Sequence, residues 1–214
     1  HATQFNLEMP FGKGLIVSGN NRFYALDKKQ FREFTTFLRG VLFNGKEDDL
    51  LSFLNRIKAP VIETRPVPAV WVAAGNCLIG DAKKTKNSMA VTALSRYGFN
   101  QLVGYTVPSW YGKGGWGTLG LLFSNHDASN LAEAWYLNNQ FILDETMTRF
   151  PKLMDVHFNS PDINGIKNDP DFARGMNSAG YGMGKDQLGL IHDRDTVAFY
   201  GDPAWTARLD ESRA

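Results

Sequence analysis

Cysteine is nearly absent from this chain of 214 residues, since Cys77 is the only one. A single thiol excludes an internal disulfide and a zinc site built from several thiolates. An excess of charge of one sign is also lacking, because 23 Lys and Arg nearly balance 22 Asp and Glu. No broad electrostatic field therefore favours nucleic acid or anionic lipid. No apolar run approaches the roughly 20 residues of a membrane-spanning helix, so we expect neither nucleic-acid binding nor a membrane span.

Apolar side chains are plentiful: the chain is 43% hydrophobic and 13% aromatic, which is enough for a globular core. The length suits one α/β domain, with or without an appendage. We expect residues 1–205 to form that domain and residues 206–214 to be a tail or the start of a linker. The chain begins at His1 without Met, and we interpret it as a processed or trimmed piece of a longer protein.

Hydrophobic periodicity predicts alternating strands and helices. Continuous apolar runs without alternation favour strands covered on both faces, as in a parallel sheet. Alternation of strands with helices predicts an α/β protein with helices on both faces of the sheet. The predicted elements are two strands within 14–26, helices at 47–58, 88–98 and 129–149, strands at 69–75, 101–107 and 195–201, and an irregular segment at 151–187. The helix at 129–149 is expected to be capped by Asp127 or Ser129 and to bury Leu131, Trp135, Leu137 and Phe141.

Two loops are candidates for a functional site, because in open α/β sheets the functional crevice lies beyond the carboxyl ends of the strands. Cys77 follows the strand at 69–75, and Gly75 and Asn76 before it predict a tight turn. A second loop at 108–117 is rich in Gly and Trp. We expect both loops at one rim of the sheet. The alternative for Cys77 is an inert buried thiol, since free cysteine is among the most buried residue types.

A cysteine nucleophile needs a base that takes up its proton. The chain offers four histidines: His1, His126, His157 and His192. The last three are interpreted as surface-loop residues. His1 differs because the small residue Ala2 and a polar segment follow it.

Several segments together resemble the gingipain-type, caspase-like cysteine peptidases. "HAT" followed by "NLEMPFGKG" resembles the turn that carries the family's histidine, and "VWVAAGNCLIGD" resembles the strand that ends in its cysteine. "NSMAVTALSRYGFNQLVGYTVPSWYGKGGWG" resembles the helix and strand that follow, and "DTVAFYGDPAW" resembles the closing strand. The likeness covers residues 1 to about 205. It implies a caspase-haemoglobinase-like fold: a three-layer α/β/α sandwich with a mostly parallel sheet.

The resemblance implies a bacterial cysteine endopeptidase that acts on peptide or protein substrates. His1 would be general base and acid, Cys77 the nucleophile, and the backbone N–H groups of Cys77 and Ala2 the oxyanion hole. Ala2 departs from the family, which often has Gly there. No cofactor would be required, and the location would be secreted, periplasmic or at the cell envelope. The residues expected to bind substrate are Gly75, Asn76, Trp110, Tyr111 and Trp116.

The resemblance implies a sheet of six strands, whereas the sequence predicts only three core strands. We therefore expect an upstream segment, or a chain left associated after processing, to complete the sheet. Asp81 and Glu63 are candidates to pair with a basic substrate side chain. The oxygen-rich stretch 162–171 would suit a structural calcium ion, with a solvated turn as the alternative.

Two other functions stay open from the sequence. One is a non-catalytic relative of the same fold that only binds peptide. The other is a copper-binding histidine brace, formed by the α-amino group and imidazole of His1 with His126 or His157.

Overall fold

The computed structural model describes residues 2–9, 12–19, 22–41, 47–64, 68–75, 78–82, 88–124, 130–158, 169–182 and 184–206. The chain divides into two compact units. Unit 1 comprises His1–Pro68 and Asp81–Phe99, and unit 2 comprises Ala69–Gly80 and Asn100–Ala214. The single domain expected over residues 1–205 stays a prediction.

Unit 1 contains an antiparallel sheet in the order β1–β2–β3, with β1 at Ala2–Met9, β2 at Gly12–Gly19 and β3 at Arg22–Leu26. The strand pair predicted within 14–26 is thereby confirmed. The helices of this unit are α1 (Lys28–Val41), α2 (Glu47–Arg56) and α3 (Met89–Arg96). The predicted helices at 47–58 and 88–98 are confirmed as α2 and α3.

The core of unit 1 is largely aromatic. Phe34 of α1 and Phe53 of α2 pack with Tyr24 and Leu26 of β3. Helix α3 begins where the Ser88 side chain accepts a hydrogen bond from the N–H of Val91, the usual cap of a helix start. Phe34 and Phe53 thus join the apolar faces of α1 and α2 to strand β3.

Unit 2 contains a mixed sheet in the order β4–β5–β6, which confirms the three predicted core strands. They are β4 (Ala69–Val72), β5 (Phe99–Tyr105) and β6 (Val197–Gly201). Strand β6 is antiparallel to β5, with Tyr105 opposite Val197 and Gln101 opposite Gly201. The described strands thus form a mixed sheet, and the mostly parallel three-layer sandwich stays a prediction.

The direction of β6 follows from the helix before it. That helix, Lys185–Thr196, runs into β6 without an intervening loop. The N–H of Thr106 donates to the carbonyl of Thr196, so β6 starts beside the carboxyl end of β5 and must run back along it. A parallel strand would have needed a longer crossover to the other end of the sheet.

The remaining helices of unit 2 are α4 (Lys113–Ser124), α5 (Leu131–Arg149), α6 (Pro170–Ala179) and α7 (Lys185–Thr196), with a 3₁₀ helix at Pro151–Asp155. Helix α4 begins inside the stretch predicted as a loop, and α6, the 3₁₀ helix and the start of α7 replace much of the irregular segment predicted at 151–187. Asp169 caps α6 ahead of Pro170, a start signal present in the sequence. No helix in the described part of the chain is long and apolar enough to cross a membrane.

Helix α5 was predicted correctly in extent but not in its cap or in part of its buried face. Asn130 caps it and forms a capping box with Glu133, whereas Asp127 and Ser129 lie outside the described residues. Leu131 is buried as expected and Trp135 is half-buried, but Leu137 and Phe141 are 39% and 59% exposed. The buried positions of this helix are Leu131, Ala134, Asn138, Ile142 and Thr146.

The close approach of α4 explains which face of α5 is buried. A Cβ added at Gly117 of α4 would lie 2.0 Å from Oδ1 of Asn138. The Asn138 side chain donates to the carbonyls of Lys113 and Gly114. Glycine in α4 thus lets a polar residue of α5 enter the interface, while Leu137 and Phe141 stay exposed.

Candidate active site

The loops after β4 and β5 meet at the carboxyl ends of these strands, as predicted. Ser109 Oγ donates a hydrogen bond of 2.9 Å to the carbonyl of Gly75. The N–H of Leu78 donates to the carbonyl of Val107 at 3.4 Å, and the N–H of Gly80 donates to Tyr105 at 2.9 Å. The loop that follows β4 is therefore attached to the segment after β5 on both sides of positions 76 and 77. Asn76 and Cys77 themselves lie outside the described residues.

The backbone of Leu78 has an unusual conformation, with φ at +62°. Left-handed φ is uncommon for a residue with a branched side chain and costs about 1–3 kcal/mol. Such strain persists only where surrounding contacts hold it, and it is concentrated at functional sites. The strained residue here directly follows the chain's single cysteine.

Trp116, one of the predicted substrate-binding residues, lies against the loop after β4. A Cβ added at Gly75 would lie 3.2 Å from Nε1 of the Trp116 indole. A Cβ added at Gly112, where φ is +94°, would lie 3.1 Å from its Cδ1. The indole is nevertheless 60% exposed. The structure thus brings Gly75 and Trp116 together, as the sequence predicted.

Tyr111 and Trp110 precede α4 and have different surroundings. The Tyr111 hydroxyl donates to Oδ1 of Asp186, and burial together with this carboxylate raises the pKa of Tyr111 to about 12. Trp110 packs on His192, with ring centroids 5.7 Å apart, and on Tyr111. Trp110 therefore covers part of the core of unit 2.

A groove of about 540 Å³ opens between α4 and α5. Tyr111 and Trp116 line it from one side, and Phe141, Ile142 and Glu145 line it from α5. Its volume falls within the range of about 300–1,000 Å³ that small-ligand pockets occupy. The exposed Trp116 indole connects this groove to the loop that carries Gly75.

The pair His192 and Asp193 in α7 forms a buried polar network that the sequence reasoning missed. Both side chains are fully buried, so the prediction of a surface loop at His192 is wrong. His192 Nδ1 lies 2.9 Å from Oδ1 of Asp193, and Nε2 lies 3.2 Å from the carbonyl of Pro108. The apolar residues Leu190 and Ile191 just before His192 were the available signal of burial.

Asp193 joins the end of β5 to the start of α4. Its Oδ2 accepts hydrogen bonds from the Tyr105 hydroxyl at 3.1 Å and from the N–H of Gly114 at 2.8 Å. Burial and the Asp193 carboxylate raise the pKa of Tyr105 far above its ordinary value, so the phenol stays a neutral donor. The two ring nitrogens of His192 thus contact Asp193 and the carbonyl of Pro108 at the same time. The network fixes both ends of the loop that carries Ser109 and Trp110.

The other predicted residues are not brought into this site by the described structure. Ala2 begins β1 in unit 1, where it pairs with Val17. His1 and His126 lie outside the described residues, and the histidine–cysteine pair is therefore untested. Asp81 is buried and Glu63 is exposed, both in unit 1.

Neither metal proposal gains support from the described residues. His157 is an exposed residue whose Nδ1 lies 3.7 Å from the Asp195 carboxylate. Most of 162–171 falls outside the described part of the chain, and Asp169 within it uses its carboxylate to cap α6. Among the described residues, no group of three or more His, Cys, Asp or Glu could hold a metal ion.

Comparison with known proteins gave no significant match to a protein-family model, a curated protein or a solved structure.

Proposed function

We propose that the chain is a cysteine endopeptidase of the gingipain type, with Cys77 as nucleophile and His1 as general base. The observation that carries the proposal is that the loop after β4 is held against the segment after β5, at the carboxyl ends of both strands. Hydrogen bonds join Gly75 to Ser109 and Leu78 to Val107. The fold we propose is the three-layer caspase-haemoglobinase-like sandwich, of which the α/β character and the mixed sheet are described above.

The geometry supports a nucleophile better than a packing cysteine. A thiol that only filled the core would not require a left-handed Leu78 beside it. Such strain costs free energy and is retained where a loop must present a reactive group in one orientation. The loop also adjoins an exposed indole and a groove, which gives a peptide a surface on which to lie.

In the proposed reaction, the Cys77 thiolate attacks the carbonyl carbon of a peptide bond. The backbone N–H groups of Cys77 and Ala2 stabilise the oxyanion that forms, and His1 donates its proton to the departing amine. A water molecule, deprotonated by His1, then hydrolyses the thioester and restores the free thiol. This reaction needs no metal or organic cofactor.

We also infer from the resemblance that an upstream segment, or a processed chain that stays associated, adds strands to the sheet of unit 2. Because the resemblance is to bacterial exported peptidases, the proposed location is secreted, periplasmic or at the cell envelope. Intact mass and a denaturing gel of the purified protein would show whether a second chain accompanies this one.

We expect Cys77→Ala to lower cleavage of a mixed peptide library by about 10³-fold or more, because the covalent step is lost. Iodoacetamide should add one label, found on Cys77 by mass spectrometry, and should label it faster than free cysteine at mildly acidic pH. His1→Ala should lower cleavage as well, whereas His157→Ala, which changes an exposed histidine, should leave cleavage unchanged. Full cleavage by the Cys77→Ala protein would refute the proposal.

A further inference from the structure

We propose that the groove between α4 and α5 binds a large apolar or aromatic side chain of the peptide substrate, next to the bond that is cleaved. This inference rests on the proposed function, because it treats the loop of Gly75 as the place of reaction. It goes further by naming the class of side chain that the site selects. Two features carry it: the exposed aromatic walls of the groove and the internal pairing of its charges.

The walls of the groove are aromatic and open to solvent. Trp116 is 60% exposed and Phe141 is 59% exposed, and both line the groove with buried Ile142. Large exposed apolar surfaces that border a concave site mark binding regions. A side chain inserted between the indole and the phenyl ring would remove apolar area of both from water.

Two glycines let the Trp116 indole lie beside the loop after β4, where we propose that the reaction takes place. Positions 75 and 112 carry no side chain, and a Cβ at either would lie about as close to the indole as packing permits, at 3.2 and 3.1 Å. The Trp116 ring therefore lies between the loop after β4 and the turn before α4. A substrate strand that passes Gly75 would have its next side chain facing the groove.

The charged groups of the groove are already paired with one another. Lys113 donates to Oε2 of Glu145, and Arg149 donates to Oε1 of the same carboxylate. Hydrogen bonds from Lys113 and Arg149 hold the pKa of Glu145 below its ordinary range, so the carboxylate is ionised at neutral pH.

The chain of charges closes at Asp186, which accepts from Arg149 at 2.7 Å and from Tyr111 at 3.1 Å. Two cations and two carboxylates therefore balance. A substrate lysine would only replace one cation with another, and a substrate glutamate would face Glu145. Exchange of one exposed ion pair for another changes the binding free energy little. The apolar walls therefore decide which substrate side chain binds, because burial of a phenyl or isobutyl group strengthens binding by about 10-fold or more.

The test uses the Cys77→Ala protein, so that binding is measured without turnover. We would titrate it with N-acetyl-L-phenylalanine amide, N-acetyl-L-lysine amide and N-acetyl-L-glutamate amide, and follow the backbone amide shifts of Gly112 and Gly117 by NMR. We expect saturable shifts with the phenylalanine probe and a Kd at least about 10-fold lower than for the two charged probes.

Matched variants separate the groove from other exposed aromatic surface. Trp116→Ala and Phe141→Ala should each weaken the phenylalanine probe about 10-fold, since each removes one wall. Phe123→Ala changes an equally exposed aromatic residue of α4 that does not line the groove, and it should leave the Kd unchanged.

Equal affinity for the three probes, absence of any shift, or unchanged binding in Trp116→Ala would overturn the groove proposal. Selective binding of the phenylalanine probe by a protein whose wild type cleaves no peptide would instead contradict the proposed peptidase activity and leave the groove assignment standing. In an active wild type, we expect cleavage sites to be enriched in Phe, Leu or Trp on one side of the bond, and this enrichment to be lost in Trp116→Ala.

Discussion

Asp193→Ala should destabilise unit 2 by about 3–5 kcal/mol, because it removes the shared acceptor of a buried hydrogen-bond network. The substitution leaves three buried donors without their acceptor: the His192 ring, the Tyr105 hydroxyl and the N–H of Gly114. Each buried group left without a partner costs roughly 1–3 kcal/mol. The protein is expected to lose a large part of the stability that a domain of this size has.

Tryptophan fluorescence gives a selective readout of this loss. All five tryptophans, Trp71, Trp110, Trp116, Trp135 and Trp205, belong to unit 2. Urea unfolding followed at the indole emission therefore reports this unit without a contribution from unit 1. We expect the urea concentration at the midpoint of unfolding to fall strongly in Asp193→Ala. The dependence of the free energy of unfolding on urea concentration should stay nearly constant.

Asp193→Asn is the matched control. The amide oxygen can accept from Tyr105 and from the N–H of Gly114, and the NH₂ group takes the place of the carboxylate oxygen that faces Nδ1 of His192. Because shape and hydrogen bonds are retained, we expect Asp193→Asn to lower the free energy of unfolding by less than half as much as Asp193→Ala. A loss below about 1 kcal/mol in Asp193→Ala would show that the network does not hold unit 2 together.

Gly115→Ala should be the second strongly destabilising change, by about 3 kcal/mol, at the upper end of the usual range for overpacking. The added Cβ would lie 2.0 Å from the carbonyl oxygen of Ala74 and 2.7 Å from its Cα. These are backbone atoms of the segment just after β4, so they cannot rotate away as a side chain could. Either α4 or the loop before Gly75 must move.

Gly120→Ala provides a control in the same helix. Nothing lies within 4 Å of a Cβ added there, and alanine favours the helix over glycine by about 1 kcal/mol. We expect Gly115→Ala to lower the urea midpoint of the tryptophan signal and Gly120→Ala to raise it slightly. If the two variants shifted in the same direction by similar amounts, α4 would not pack on β4 as described.

Local patterns were sufficient for elements whose signals lie within a few consecutive residues. The apolar runs before Cys77 and around Val103 predicted β4 and β5, because a strand covered on both faces needs little alternation. The helix predicted at 88–98 begins at Ser88, whose hydroxyl accepts a hydrogen bond from a free helical N–H. The meeting of the two loops followed from the strands alone, as parallel neighbours end at the same edge.

Helix α4 shows why local patterns failed elsewhere. It contains four glycines, at 114, 115, 117 and 120, and glycine disfavours a helix. The helix forms because two of these positions let it approach Ala74 and Asn138 more closely than any side chain would permit. This benefit exists only when β4 and α5 are in place, so residues 108–117 taken alone indicate a loop.

The sequence by itself determined the three strands of the unit 2 sheet, helices α2, α3 and α5, the absence of a disulfide framework and the position of a lone cysteine just after an apolar strand. Tertiary structure decided what each element packs against. It buried His192 with Asp193, turned Phe141 towards solvent and reversed β6 beside β5. Periodicity within a segment reveals that a face will be buried, but the choice of partner depends on residues far apart in the chain. A histidine or a phenylalanine acquires its surroundings, and hence its chemistry, only when those distant residues come together.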